Sequence, residues 1–571
     1  MGRHGGLMRH VPNRRLSAVL ALFALAAVTP APARQASDDE ALAKKIDAVL
    51  AAVYKPGQPG AAVIVRKNGR TVLRKGYGMA DLELGVPIAP DMVFRLGSIT
   101  KQFTAVAILL LAQEGRLGLQ DEITRFLPDY PTQGRKITVE HLLTHTSGIQ
   151  SYTDLPEWLP LWRKDFTLKE LIDLFKDKPM RFEPGERWEY NNSGYILLGA
   201  IIEKVSGTTY EAFIDSRIFQ PLGMKQSTYG SAERIIPRRV PGYQMGKGGF
   251  VNAPYLSMTQ PYAAGSLLST VDDLAIWSDA VFAGRLVGKE WLAKAHTPYK
   301  LANGESTGYG YGWFIGDFGG HRSIEHGGGI NGFTTYEMTF PEDGVFLAIL
   351  TNSAVAGRAP EPRAVEMAWL ALGAAKPSPK PVTLAPRDLD PLVGVYESET
   401  KAELYLVRDG TALAAQRKGG GRQSLVAVSP TEFHFKDNPS RLEVGRDAEG
   451  AVTGLRIVSR IGPAEVFSKT ARPLPSPRKE AVVDPKLYDL YAGEYELNPG
   501  FTITILRRGD KLISQATGQP EVELFAESET RFFLKVTDAQ VDFVRDEAGR
   551  VTGLILHQGG MDLPAKRIRR P

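Results

Sequence analysis

Three tetrapeptides in this chain place a serine three residues before a lysine: Ser98-Ile99-Thr100-Lys101, Ser398-Glu399-Thr400-Lys401 and Ser476-Pro477-Arg478-Lys479. On a helix that spacing puts both side chains on one face, one turn apart, so an amine can serve as base to a hydroxyl nucleophile. Only the first copy has helical context. Phe103, Val106, Ala107, Leu110 and Leu111 follow it at i, i+3, i+4, i+7 and i+8, which predicts a core-facing helix with Ser98 at its start. Its N–H groups and positive potential would face a developing oxyanion, and Gly97 permits close backbone approach. Ser398 falls in strand-and-turn sequence and Ser476 in a proline-rich stretch, so both read as solvated surface. Taken alone, Ser98 and Lys101 describe a capped helix with a surface lysine equally well. For catalysis Lys101 must be neutral, which takes a pKa lowered by about three units.

Two further elements carry chemistry. The first is Pro184–Tyr195, in which Glu189-Tyr190-Asn191-Asn192 precedes Leu198, Ile202 and Val205 at helical spacing. There a phenol at Tyr190 could relay protons and an amide at Asn192 could orient lysine and substrate, while Asn192 or Ser193 could equally be an N-cap. The second is His326-Gly327-Gly328-Gly329, which ends a predicted strand. Its glycines, Gly327 and Gly328 among them, would let substrate come close, and a plain strand-end turn would explain them as well.

These residues need a frame. Ser37-Asp38-Asp39-Glu40 has capping-box spacing and predicts a helix from there to about Val53. A hairpin follows, Ala61–Arg66 and Thr71–Lys75, turning at Asn68-Gly69. Strand signals return at Tyr309–Ile315, Ser323–His326, Thr334–Phe340 and Val345–Thr351, with a mainly helical block between. The expected class is α+β: an antiparallel sheet assembled from both ends and flanked by helices. Beyond Pro377-Ser378-Pro379-Lys380-Pro381 the chain repeats itself. Gly394-Val395-Tyr396 recurs at Gly493-Glu494-Tyr495, Thr431-Glu432-Phe433 at Thr530-Arg531-Phe532, and Gly450–Leu455 at Gly549–Leu554, always offset by 99. Two small all-β barrel domains are predicted, at 382–471 and 481–571, behind a larger first domain at 34–376 that holds the candidate residues. All catalytic candidates precede the linker, so the repeats are read as acting on access to the site rather than on the chemistry.

Composition narrows the function. The net charge of +5 falls to +1 once Arg3, Arg9, Arg14 and Arg15 of residues 1–33 are set aside, which leaves no field for nucleic acid. Residues 1–33 have a basic start, an apolar run from Leu16 to Val28 and small residues at Ala31 and Ala33, the pattern of a signal peptide cleaved after Ala33. A run of thirteen residues is short of a span, so no integral membrane segment is expected after cleavage, and the chain is placed in the periplasm or outside the cell. Zero cysteines exclude thiol nucleophiles and thiolate metal sites. His141 and His145, spaced i, i+4 without a nearby acidic partner, read as structural hydrogen-bonders, and no metal or cofactor is called for.

In this order the elements resemble the penicillin-recognising serine hydrolases, in the branch of class C β-lactamases, DD-peptidases, D-aminopeptidases and related esterases. The similarity covers about residues 38–375, with supporting phrases at Leu142–Ile149, Ala264–Thr270 and Tyr311-Gly312-Trp313. It implies Ser98 as acyl-forming nucleophile, Lys101 as its base partner, Tyr190 as proton relay and Asn192 as positioning group. The N–H groups of Ser98 and Gly329 would form the oxyanion hole, and His326 takes the first position of the third motif, often Lys-Thr-Gly in lactamases. With glycine at 327 no hydroxyl meets a substrate carboxylate, which weighs against an efficient β-lactamase. His-x-Gly together with appended barrels resembles the D-aminopeptidase branch. The expected activity is hydrolysis of amide or ester bonds in D-amino-acid-containing peptides or small esters. The rivals are a promiscuous esterase of the same family and a catalytically silent peptidoglycan- or peptide-binding protein. The sequence assigns no oligomeric state.

Overall fold

The computed structural model describes residues 31–571 except 247, 377–379, 437–439, 477, 499–500, 559–560 and 570–571. The expected cleavage segment therefore lies almost wholly outside the described residues, as do parts of both proline-rich stretches. The first helix, α1, spans Ala31–Val53, so it opens six residues before the expected cap at Ser37. Pro32 sits in the first turn, where its missing N–H leaves no intrahelical bond unmade, and the alanines around it favour continuation.

Six strands form one antiparallel sheet: β1 Ala61–Lys67, β2 Arg70–Tyr77, β3 Phe314–Phe318, β4 His321–Ile330, β5 Phe333–Phe340 and β6 Val345–Thr351. Their order is β3-β4-β5-β6-β1-β2, so the two ends of the domain meet where β1 pairs with β6, Ala61 opposite Thr351. Asn68 and Gly69 turn the β1–β2 hairpin in left-handed conformations, φ 50° and 76°. Strands β1 and β6 are buried on both faces and accordingly read as apolar runs. Ala61, Val63, Leu347 and Ile349 pack under α1 and α6 (Pro360–Leu372), with Ala364, Met367 and Ala368 as contacts. Ala62, Ile64, Ala348 and Leu350 face a larger core under α2 (Thr100–Gln113), α4 (Asn192–Ser206) and α5 (Val271–Phe282).

Two expectations shift. The strand read at Tyr309–Ile315 begins at Phe314, leaving Tyr309 in the preceding loop. The helix after Ser98 is buried from Thr100 to Ala112 on every side, not along one stripe, because helices enclose it as well as the sheet.

After the linker come two closed eight-stranded barrels, from Gly394–Glu397 to Glu465–Lys469 and from Gly493–Asn498 to Met561–Arg569. The 99-residue offset reaches into their cores. Tyr396 donates to the Leu392 carbonyl at 2.6 Å, and Tyr495 donates to that of Tyr491 at 2.7 Å, both rings fully buried.

Candidate active site

Ser98 sits in a one-turn 3₁₀ segment, Gly97–Ile99, that runs into α2. It is half-exposed between buried Gly97 and Ile99. Gly97 is left-handed (φ 57°), and a Cβ there would meet the Gly329 backbone nitrogen at 2.9 Å. Glycine is thus what lets the Ser98 turn lie against β4, bringing the backbones of Ser98 and Gly329 together.

Lys101 is fully buried one turn on. Its Nζ lies 3.2 Å from Ser98 Oγ, 2.8 Å from Asn192 Oδ1 and 2.9 Å from the Ala264 carbonyl. No carboxylate is among these partners, and burial pushes its pKa well below the ordinary lysine value. Two of the partners are carbonyl oxygens, which can only accept. A neutral amine gives its two hydrogens to them and turns its lone pair toward the Ser98 hydroxyl.

Tyr190 and Asn192 come from the segment entering α4. The helix is capped by Asn191, whose Oδ1 accepts from the Gly194 N–H at 2.8 Å, so neither Asn192 nor Ser193 is the cap. Asn192 is freed to receive Lys101, and its Nδ2 donates to Thr153 Oγ1 at 3.1 Å. The Tyr190 ring lies 4.8 Å from Lys101 Nζ. Its hydroxyl is buried, with Ser98 near enough to affect its titration but no hydrogen bond of good geometry. Burial raises its pKa, keeping the phenol protonated.

Strand β4 does not stop at His326: it runs to Ile330, with Gly327, Gly328 and Gly329 opposite Tyr336, Thr335 and Thr334. A Cβ on Gly327 would strike the Tyr336 ring at 2.9 Å, and one on Gly328 the Leu96 carbonyl at 1.9 Å, whereas one on Gly329 would meet open space. Packing therefore requires the first two glycines, and only the third opens outward. His326 is buried, its Nδ1 2.6 Å from the Gly327 carbonyl and its Nε2 3.1 Å from Tyr309 Oη. Nδ1 therefore carries the hydrogen and Nε2 accepts from the phenol. Burial, with Lys101 nearby, pushes its pKa down to about 3, so it offers no positive charge.

Opposite His326 stands Glu337, buried on β5, which accepts a hydrogen bond from Gln102, the residue after the lysine. Its other oxygen has no partner, and burial raises its pKa to about 7. On the far face of β4, Glu325 is fully buried in an ion pair with Arg460, from the loop joining the last two strands of the first barrel. Arg460 also donates to Tyr336 Oη at 2.9 Å and Glu361 at 3.1 Å. The same loop lies against the Gly308 backbone and Phe314, whose ring packs 5.3 Å from that of His326.

Of the three Ser-x-x-Lys copies, only the first joins the site. Lys401 is left-handed (φ 65°) in a turn and pairs with Glu397 at 2.8 Å. Sequence reasoning missed Ala264, Glu337, Tyr309 and any role near the site for His145. Ala264 and His145 lie inside the phrases quoted for the resemblance, while Tyr309 and Glu337 carry no local signal.

A serine at a helix start, a buried lysine one turn on and a strand closing over both fit a serine hydrolase on the β-lactamase/transpeptidase-like fold. The Beta-lactamase family profile matches residues 42–368, and the chain belongs to that family. A domain of unknown function, DUF3471, matches residues 477–567, the second barrel. Penicillin-binding protein 4* of Bacillus subtilis (strain 168) is 25% identical over 546 residues, 92% of this chain and 99% of its own length. Protein flp of Staphylococcus aureus (strain MW2) is 30% identical over 317 residues, 54% of this chain and 63% of its own length. Among solved structures, the octameric penicillin-binding protein homologue from Pyrococcus abyssi aligns with TM-score 0.52 and 29% identity over 75% of this chain and 99% of its own. The D-amino acid amidase from Ochrobactrum anthropi SV3 aligns with TM-score 0.52 and 27% identity over 58% and 99%. No helix among the described residues is long and apolar enough to cross a membrane.

Proposed function

We propose that this chain is an exported hydrolase that forms an acyl-enzyme at Ser98 and cleaves amide or ester bonds of small substrates, D-amino-acid amides and peptides foremost. The observation that carries this is the hydrogen-bond set of Lys101: two obligate acceptors take its hydrogens, and its remaining contact is Ser98 Oγ. Ser98 Oγ passes its proton to Lys101 Nζ and bonds to the substrate carbonyl carbon. The oxyanion is held by the N–H groups of Ser98 and Gly329. Tyr190, kept protonated, gives its proton to the leaving nitrogen or oxygen and regains one from Lys101. Water then releases the acyl group by the reverse sequence.

The substrate class follows from what surrounds the acyl site. His326 is neutral with both ring nitrogens engaged, so β4 offers no cation to a substrate carboxylate, and groups without a free C-terminal carboxylate there are favoured. The likeness to a D-amino acid amidase agrees with that preference. The barrel loop beside Phe314 supports a role for the repeats in access. Export rests on the pattern of residues 1–33, and N-terminal sequencing of exported material should start at Arg34.

The test is intact-mass analysis after exposure to D-alanine p-nitroanilide, its L counterpart, a short-chain p-nitrophenyl ester and a penicillin. An acyl adduct on Ser98, lost in Ser98→Ala and kept in Ser398→Ala and Ser476→Ala, is the expected result. Substantial turnover by folded Ser98→Ala protein would refute the mechanism.

A further inference from the structure

His145 lies just past the short helix α3 (Val139–Leu143), fully buried and in the left-handed region at φ 61°. A non-glycine residue holds such a conformation only where its surroundings over-determine it. What over-determines His145 is the Tyr190 segment. Its carbonyl oxygen accepts from the Glu189 N–H at 3.0 Å, and its Nδ1 accepts from the Asn191 N–H at 3.0 Å. These donors flank Tyr190 on both sides, and the imidazole ring packs on the Tyr190 ring between them, centroids 4.4 Å apart. One residue thus holds the phenol's backbone before and after it and its ring face.

We propose that His145 is the positioning residue of the proton relay, fixing the height and tilt of the Tyr190 phenol over Ser98 and Lys101. The inference rests on the reading of Tyr190 as relay. Because Nδ1 accepts, the ring hydrogen sits on Nε2, which has no hydrogen-bond partner and is ringed by aromatics: Tyr195 at 5.2 Å, Tyr309 at 4.7 Å and Trp188 at 6.0 Å between centroids. Burial, with Lys101 and His326 close by, holds the imidazole neutral, so the accepting lone pair on Nδ1 is preserved. A histidine kept for packing alone would not need that lone pair.

Asparagine supplies the test. Its Oδ1 hangs from Cγ as Nδ1 does, so it can accept the Asn191 N–H, and asparagine tolerates positive φ. Glutamine carries its oxygen one carbon further out. Rates are to be measured per active site, counted by the burst of p-nitrophenol, so that a misfolded fraction does not enter. His145→Gln and His145→Leu should lose about 10²-fold in kcat on an anilide with KM little changed, and His145→Asn should recover to within about tenfold of the parent. Combined with Tyr190→Phe, His145→Gln should add almost nothing to the loss from Tyr190→Phe alone. Equal rates for the Asn and Gln variants, or losses that add, would overturn the proposal. Should Tyr190→Phe itself leave kcat unchanged, the relay reading fails first, and that outcome is distinct from either.

Discussion

Glu325 and His326 are neighbours on one strand and point to opposite faces of the sheet, as strand geometry demands. Behind the sheet Glu325 meets Arg460 in a buried ion pair, where burial works against the guanidinium's charge and the carboxylate outweighs it, pushing the guanidinium pKa up. In front, Lys101, His145, His326 and Glu337 are all buried with no opposite charge bonded to them, and all four are pushed toward their neutral forms. The same low-polarity interior therefore yields an ion pair on one face and an uncharged site on the other. Partner placement decides which. The mechanism proposed for the front uses a neutral amine, while at the back the charge pair ties the barrel loop to the sheet.

The largest effect should come from breaking the back-face pair. Arg460→Met strands a buried carboxylate and should destabilise the hydrolase domain by about 3–5 kcal/mol, seen as a lower Tm. Glu325→Gln added to it should restore much of the loss, and a double variant as unstable as the single would break the comparison. A chain ending near Lys376 removes Arg460 too, so its thermal stability should fall in step.

Next in size is Glu337. Its carboxyl titrates at about 7 when folded and near the ordinary glutamate value of about 4.5 when unfolded, so the folded state binds more protons between those pH values. Stability should therefore fall as pH rises through that window, by up to about 3 kcal/mol from this group. In Glu337→Gln that component should vanish, leaving a flatter Tm profile between pH 4.5 and 7. An unchanged slope would mean that Glu337 stays ionised and the front face is not the uncharged region described. Smallest should be Arg417→Ala, which removes an ion pair to Glu465 in the same barrel, at 2.7 Å with both side chains about half exposed. A loss above about 1 kcal/mol there would show that pairing rather than burial sets the effect.

Much of the front face is legible in the sequence, because its groups are carried by local patterns. Ser98 and Lys101 share a helix face by spacing, and Tyr190 and Asn192 precede an apolar-periodic helix. The barrels are legible because a constant offset ties each core tyrosine to its copy. The glycines after His326 mislead, since a run of three reads as a turn, while here the pleat continues and packing against Tyr336 and Leu96 uses the missing side chains. His145 is opaque for another reason: its position depends on φ at one residue and on hydrogen bonds to a segment 44 to 46 residues away. Arg460 and Glu325 are 135 residues apart, and no local pattern announces a pair formed across two domains.

The account turns on a neutral Lys101 taking the Ser98 proton, and the pH dependence of acylation reads that directly. Stopped-flow rates of p-nitrophenol release in the first turnover, from about pH 5 to 11, should rise through a single limb whose midpoint lies well below 10.5, the ordinary lysine value. The limb should disappear in Lys101→Met, along with most of the rate. A midpoint at the ordinary lysine value, or the same limb surviving in Lys101→Met, would contradict the assignment.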